Sequence, residues 1–255
     1  MSGRGEVRVL ADADAVAAAA ADEFVARARA ALGDRGRCAV TLSGGSTPRR
    51  FHELLAARLA RGELELGGLH FFFGDERCVP PDHADSNYRA ANEALFAPLG
   101  LPAAQVHRIP AERGSPAEAA AAYAAELSAC FETAEGEPPR FDLVYLGLGG
   151  DGHTASLFPG REAEWDVETP VAASFVPRLG THRVTLSLRT LNAARCACFL
   201  VTGADKAAAL GRVLEPAAGA PVPPARRVRP SSGELLWLVD RAAAGPGGGG
   251  ESPQT

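Results

Sequence analysis

Several things are missing from this sequence, and each absence excludes a class. No apolar run is long enough to span a bilayer, which takes about 20 residues. The opening Met1-Ser-Gly-Arg-Gly-Glu6 has no apolar stretch of the kind a secretory signal carries. Positive charge is not in excess: the net charge is −5 with 22% charged residues, so neither nucleic acid nor a membrane is an expected partner. The cysteines Cys38, Cys78, Cys130, Cys196 and Cys198 are odd in number, and their spacing is neither a disulfide framework nor a zinc site. Cys38, Cys196 and Cys198 lie in apolar runs where a reduced thiol packs as a small hydrophobe, while Cys78 follows a charged turn, where it is either inert or reactive. There is no internal repeat, because the alanine richness of residues 12–32 is a bias of composition. These absences leave a cytoplasmic enzyme as the default.

A substantial core remains affordable. With 46% hydrophobic residues in 255, the chain suits one large α/β domain or two small ones. The organising stretch is Phe141-Asp-Leu-Val-Tyr-Leu-Gly-Leu-Gly-Gly-Asp-Gly-His-Thr-Ala-Ser-Leu-Phe-Pro159. Residues 141–146 read as a buried strand, followed by glycines that let the backbone turn sharply and approach a ligand. Asp151 and His153 sit in that break, at the end of a strand where open α/β sheets bind ligands. Imidazole is the side chain best suited to move a proton near neutral pH, so His153 is the candidate base. The stretch also spells G-x-G-x-x-G from Gly147 to Gly152. A dinucleotide site needs a long helix there, whereas Pro159-Gly160 stops this one after about two turns.

A second strand, 37–42, runs into Ser43-Gly-Gly-Ser-Thr-Pro48 and then a helical pattern, with Thr47 as cap and Pro48 in the first turn. Unpaired N–H groups, hydroxyls and the positive helix end converge there, which suits a phosphate; ordinary capping is the alternative. A third strand, 69–73, leads into Gly74-Asp-Glu-Arg-Cys78, where Asp75 and Arg77 read either as a surface ion pair or as site residues. Lys206, at the start of the helix after strand 196–202, opposes the helix dipole unless an anion sits beside it; a solvated lysine is the alternative.

Elsewhere the pattern predicts a strand at 7–10, a helix over 12–32 stopped by Gly33, and a helix capped by Asp85 or Ser86 running to Phe96. His83 precedes that cap in an irregular segment. Further helical pattern follows Ser115-Pro116. Strands are expected at 171–177, 183–188 and 235–239, with a short turn starting at Leu191-Asn192. Residues 161–169 read as an acidic loop, and Arg226-Arg227-Val-Arg229 as a solvated surface or a lid. The expected fold is a doubly wound α/β domain over 1–240, mainly parallel, with helices on both faces and room for a smaller second lobe. Residues 241–255 are expected to be a disordered glycine-rich tail.

These blocks resemble the 6-phosphogluconolactonases of the glucosamine-6-phosphate isomerase/6-phosphogluconolactonase family, over roughly residues 7–240. The resemblance rests on Leu42-Ser-Gly-Gly-Ser-Thr-Pro48, Gly74-Asp-Glu-Arg-Cys-Val-Pro80 with Ser86-Asn-Tyr88, the block from Gly147 to Pro159, Arg183-Val-Thr-Leu and Gly203-Ala-Asp-Lys206. It implies hydrolysis of 6-phosphoglucono-δ-lactone with no metal or organic cofactor, by a monomer or small homo-oligomer. His153 would be the general base, with Arg77 or loop N–H groups at the carbonyl oxygen. Asp151 would orient the imidazole or merely form the turn. Ser43, Gly44, Gly45, Ser46 and Thr47 would hold the phosphate with Arg183 and Lys206, and Asp75 would also bind substrate. Deaminases of the same family carry a Glu shortly after the histidine, and residues 154–159 contain no carboxylate. A non-catalytic sugar-phosphate sensor would keep the phosphate loop without needing His153.

Overall fold

A computed structural model describes residues 5–176 and 180–245. Seven strands form one parallel sheet, in the order β1 (Glu6–Leu10), β10 (Glu234–Asp240), β9 (Cys196–Val201), β6 (Leu143–Gly147), β2 (Cys38–Leu42), β3 (Leu69–Phe73) and β5 (Val106–His107). Strands β2 and β9 are buried along their whole length, which explains their largely apolar sequence. From β2 the chain steps outward through β3 to β5, and from β6 it steps the other way through β9 to β10. The order therefore reverses between β2 and β6, the place where open sheets of this kind bind ligands.

A second, antiparallel sheet has the order β4 (Asp75–Arg77), β8 (Thr181–Leu186), β7 (Val171–Val176). It is joined to the first at Gly74, whose N–H donates to Leu42 O and whose carbonyl accepts from Leu186 N. This is the smaller lobe. The polar cluster after β3 is accordingly a strand, not a turn.

The helices are α1 (Ala13–Arg35), α2 (Ser46–Ala60), α3 (Asn87–Ala91), α4 (Ala97–Leu99), α5 (Pro116–Phe131), α6 (Glu162–Trp165), α7 (Leu188–Ala193), α8 (Ala207–Leu214), α9 (Pro224–Arg227) and α10 (Arg241–Ala244). They cover the sheet on both faces. Asp12 caps α1, Ser86 caps α3, and Ser115 with Glu118 forms a full capping box on α5. A π-helical turn, Asn92–Phe96, joins α3 to α4. Among the described residues no helix is long and apolar enough to cross a membrane.

Several expectations are corrected. Helix α1 runs through Gly33 and ends at Gly36, which adopts the left-handed conformation (φ 69°) that a stop requires. Thr47 does not cap α2: the cap position is Gly45, with no side-chain bond, and the Thr47 hydroxyl pairs with that of Thr202 at 2.5 Å. No helix follows Gly152, so the dinucleotide pattern is a coincidence of spelling. The acidic stretch after Arg161 forms α6, and Leu191 and Asn192 lie inside α7. The basic run is partly engaged by the fold, and Arg229 is exposed as expected of a solvated surface. Arg226 donates to Val213 O, and Arg227 pairs with Asp166 at 2.6 Å and lies over the buried Trp165 ring. Arg241–Ala244, placed in the expected tail, forms the helical turn α10, capped by Asp240 with Ala243 buried. Residues 246–255, and Pro177 at the end of the expected strand, lie outside the described residues.

Candidate active site

A cleft lies at the β2/β6 switch point, formed by the loops that leave the carboxyl ends of β2, β6 and β9 together with β4 and β8. It has three adjoining chambers. The central one, about 220 Å³, is lined by Ser43, Gly44, Asp75, Arg77, His153 and Lys206 among others. One side chamber, about 310 Å³, brings Gly44, Gly45, Ser46 and Thr47 together with Lys206. The other, about 620 Å³, holds Asp75, Arg77, Asp151, His153 and Arg183. His153 and Lys206 thus each sit where two chambers meet.

The imidazole of His153 is fixed from three sides. Asp151 Oδ1 lies 2.6 Å from Nδ1 and also accepts from the His153 backbone N–H at 3.0 Å. Phe158 packs on the ring at 4.6 Å between centroids. Gly149 lies beneath it: a Cβ there would come within 2.0 Å of Nδ1, so only glycine permits this ring position. With Nδ1–H given to the carboxylate, the lone pair of Nε2 is left for proton transfer. The side chain is 32% exposed, neither sealed in the interior nor free in solvent. Burial pulls the Asp151 pKa up, but the hydrogen bonds and charge of His153 outweigh it and hold the carboxyl below its usual value. One Asp151 oxygen thus makes both the turn contact and the contact to the imidazole.

The wall after His153 is held under strain. Ala155 adopts φ 46°, a left-handed conformation costing of order 1 kcal/mol for alanine. Its neighbours impose it: the Thr154 hydroxyl donates to Gly147 O at 2.8 Å, and the Ser156 hydroxyl to Asp75 Oδ2 at 2.7 Å.

Asp75 and Arg77 form no ion pair with each other. Asp75 accepts from Ser156 and from Asn87 Nδ2, and Arg77 donates to the Asp85 carbonyl. Between them, Glu76 is buried and accepts from the backbone N–H groups of Arg77, Asn87 and Tyr88 and from the Ser86 hydroxyl. Burial raises its pKa despite those bonds. Its role is to pin β4 against the start of α3, which aims its two neighbours into the cleft. Exposed His83 accepts from the Asp85 N–H in the adjoining turn.

Arg183 stands opposite Arg77 in the β4/β8 register. Like charges facing each other across a ladder repel. Burial, and next the Arg77 charge, lower the Arg183 pKa. Arg183, grouped by the resemblance with the Ser43–Thr47 loop, lines the chamber of His153 and Arg77 and not the one lined by Gly44–Thr47.

Four buried polar atoms around the cleft, Ser43 Oγ, Asn87 Oδ1, Arg77 Nε and Arg183 Nε, lack a hydrogen-bond partner among the described residues. Groups of that kind are costly unless something binds them. At the far end, α2 begins without a side-chain cap, so the Ser46 and Thr47 N–H groups face the chamber that Lys206 shares. Lys206 pairs with Asp205 at 3.1 Å and is the only lysine among 26 basic residues, a signal the sequence carried. Asn87 was missed as a site residue. It lies so close to Gly44 that a Cβ there would meet its Oδ1 at 1.9 Å. Cys78 lines none of the three chambers, and burial raises its pKa.

A family model described as glucosamine-6-phosphate isomerases/6-phosphogluconolactonase matches residues 11–237. The chain belongs to this family. It is 41% identical over 244 residues to the 6-phosphogluconolactonase of Homo sapiens, covering 94% of this chain and 93% of that one. It is 40% identical over 237 residues to that of Nostoc sp., covering 93% and 96%. Among solved structures, a 6-phosphogluconolactonase from Trypanosoma brucei superposes with a TM-score of 0.81 at 32% identity, covering 94% of this chain and 97% of that one. The sheet described above is that of the family's α/β fold.

Proposed function

We propose that the protein hydrolyses 6-phospho-D-glucono-1,5-lactone to 6-phospho-D-gluconate, the lactonase step of the oxidative pentose phosphate pathway. The observation that carries this reading is the Asp151–His153 pair set between two cationic ends of one cleft. Relatives of that name at about 40% identity over nearly the whole chain support the same substrate.

In the reaction, His153 Nε2 removes a proton from water as the water oxygen attacks the lactone carbonyl carbon. The carbonyl electron pair moves onto its oxygen. Arg77 and Arg183 stand on that side of the imidazole and stabilise the charge. Asp151 stabilises the imidazolium formed meanwhile. Collapse of the intermediate re-forms the carbonyl and breaks the bond to the ring oxygen. The proton on Nε2 passes to that leaving oxygen, and the new carboxylic acid then ionises. At the other end, the α2 N–H groups, the Ser46 and Thr47 hydroxyls and Lys206 hold the phosphate, anchoring the lactone for attack. Asp75 and Asn87 Oδ1 supply acceptors for the sugar hydroxyls between. No step uses a metal or an organic cofactor.

A coupled assay on freshly made lactone tests this. Protein with EDTA should form 6-phosphogluconate well above the spontaneous rate in buffer. Binding of 6-phosphogluconate without any acceleration would favour a sensor, and ammonia released from glucosamine 6-phosphate would favour a deaminase.

A further inference from the structure

Outside the cleft, one group of side chains has metal-ligand chemistry that the reaction does not use. His107 ends β5, the edge strand two places from β2. Glu126 and Cys130 lie one turn apart on α5, so both face the same way. The Nδ1 of His107 is 2.9 Å from Glu126 Oε1 and 3.6 Å from Cys130 Sγ, and the three donor atoms lie within 4.8 Å of one another.

Behind the ring, His107 Nε2 is 3.1 Å from Nδ1 of His70 on β3. Phe72 stacks on the imidazole at 4.2 Å with an interplanar angle of 9°, fixing its plane. That is the arrangement a liganding histidine needs: one nitrogen toward the metal, and the other N–H given to a neighbour that sets the tautomer.

We propose that His107 Nδ1, a Glu126 oxygen and Cys130 Sγ bind a borderline divalent transition metal, zinc being the natural occupant, with water in the fourth position. A neutral imidazole, a carboxylate and a thiolate exactly balance a dication's charge, and mixed N, O and S donors suit zinc over magnesium or calcium. Donors of a tetrahedral zinc stand roughly 3.3–3.6 Å apart, given bond lengths of about 2.0–2.3 Å. The nitrogen–sulfur separation already fits. The Glu126 oxygen must withdraw by about half an ångström, and its side chain, 39% exposed, has room to do so. Arg37, the cation beside this group, is engaged by the Cys130 carbonyl at 2.7 Å and by the Phe131 ring. Cysteine spacing alone misses such a site, because it draws one cysteine from a helix and its histidine from a strand.

The test is titration of the chelator-treated full chain with Co²⁺. A near-ultraviolet thiolate-to-cobalt band should saturate at one equivalent and disappear when Zn²⁺ is added. Cys130→Ser should abolish the band, while Cys78→Ser should keep it. Glu126→Gln is a near-isosteric change at a partly exposed helix position, and His70→Ala leaves all three donors in place. Each should weaken binding by about tenfold or more. Zinc should also raise the melting midpoint of the wild type, and not of Cys130→Ser. Lactone turnover should be the same with and without metal. Absence of the thiolate band in the wild type, its persistence in Cys130→Ser, or unchanged affinity in both Glu126→Gln and His70→Ala would overturn the proposal.

Discussion

Arginines gather at both ends of the parallel sheet, and the two gatherings are built differently. At the amino ends of the strands, Asp142 is a buried hub. It takes Arg35 at 2.7 Å, stands 3.2 Å from Arg195 Nε, and accepts the Ala39 N–H at 2.8 Å. Nearby, Arg37 is held by the Cys130 carbonyl and Arg140 by Ser232. These groups line a cavity of about 230 Å³ with their charges largely answered from within. At the carboxyl ends, Arg77 and Arg183 face each other with no carboxylate ion pair among the described residues; their buried Nε atoms lack a hydrogen-bond partner there, as does that of Arg195, which however has Asp142 beside it. The first arrangement clasps the ends of β2, β6 and β9 together. The second keeps unmet hydrogen-bonding capacity for something that arrives from solvent. Partnership, rather than the number of cations, separates a structural cluster from a site.

Four measurements press on that contrast. The largest effect belongs to His153→Ala, which should lower kcat by about 10³ while KM and the melting midpoint change little. A modest kcat loss would move the chemistry elsewhere in the cleft. Next is Asp142→Ala, which leaves Arg35 and Arg195 facing each other without their carboxylate. Urea unfolding should show a loss of about 3 kcal/mol, with kcat/KM within twofold of wild type. A large loss of kcat/KM in the folded variant would break the contrast. Third, Lys206→Ala should raise KM about tenfold with kcat nearly kept, and Arg183→Met should lower kcat/KM by a similar factor without lowering stability. A clear loss of stability in Arg183→Met would mean that this end is also a clasp.

The most gradual effect, spread over several pH units, concerns acid. His52 on α2 is fully buried, its ring nitrogens have no partner among the described residues, and burial depresses its pKa to about 3. The folded-state value lies below the unfolded one near 6.5, so between them the unfolded chain holds a proton that the folded chain refuses. Stability should therefore fall as pH drops through that window, by up to about 1.4 kcal/mol per unit. His52→Leu should flatten the slope in urea titrations at stepped pH. An unchanged slope would assign acid sensitivity to the carboxylates of the two arginine clusters instead.

Much of this was legible in the residues. Largely apolar runs at 38–42, 69–73 and 196–201 announced buried parallel strands, and glycines after them announced loops at the binding end. The pairing of Asp151 with His153 could be read from two positions of spacing. What was hidden has a common cause. The partner of Arg183 depends on β4 and β8 lying antiparallel in a second sheet, a long-range register that local pattern does not encode. Gly36 rather than Gly33 ends α1 because that choice depends on what the last turn packs against, Arg35 reaching Asp142 across the fold. Asn87 was invisible as a site residue because its placement comes from Glu76, a carboxylate buried where sequence alone expects a solvated charge.

One feature has a chemical consequence of its own. A δ-lactone is an acylating agent toward free amines, so an enzyme that binds one is exposed to its own substrate. Arginine guanidinium is a far poorer nucleophile than an ε-amine, and this chain carries arginine at every basic position but 206. That amine is engaged by Asp205 where the central chamber meets the one lined by the start of α2. The composition thus leaves almost no side chain for self-inflicted amide formation, and the same scarcity makes Lys206 a single-address handle for amine-directed labelling of the cleft.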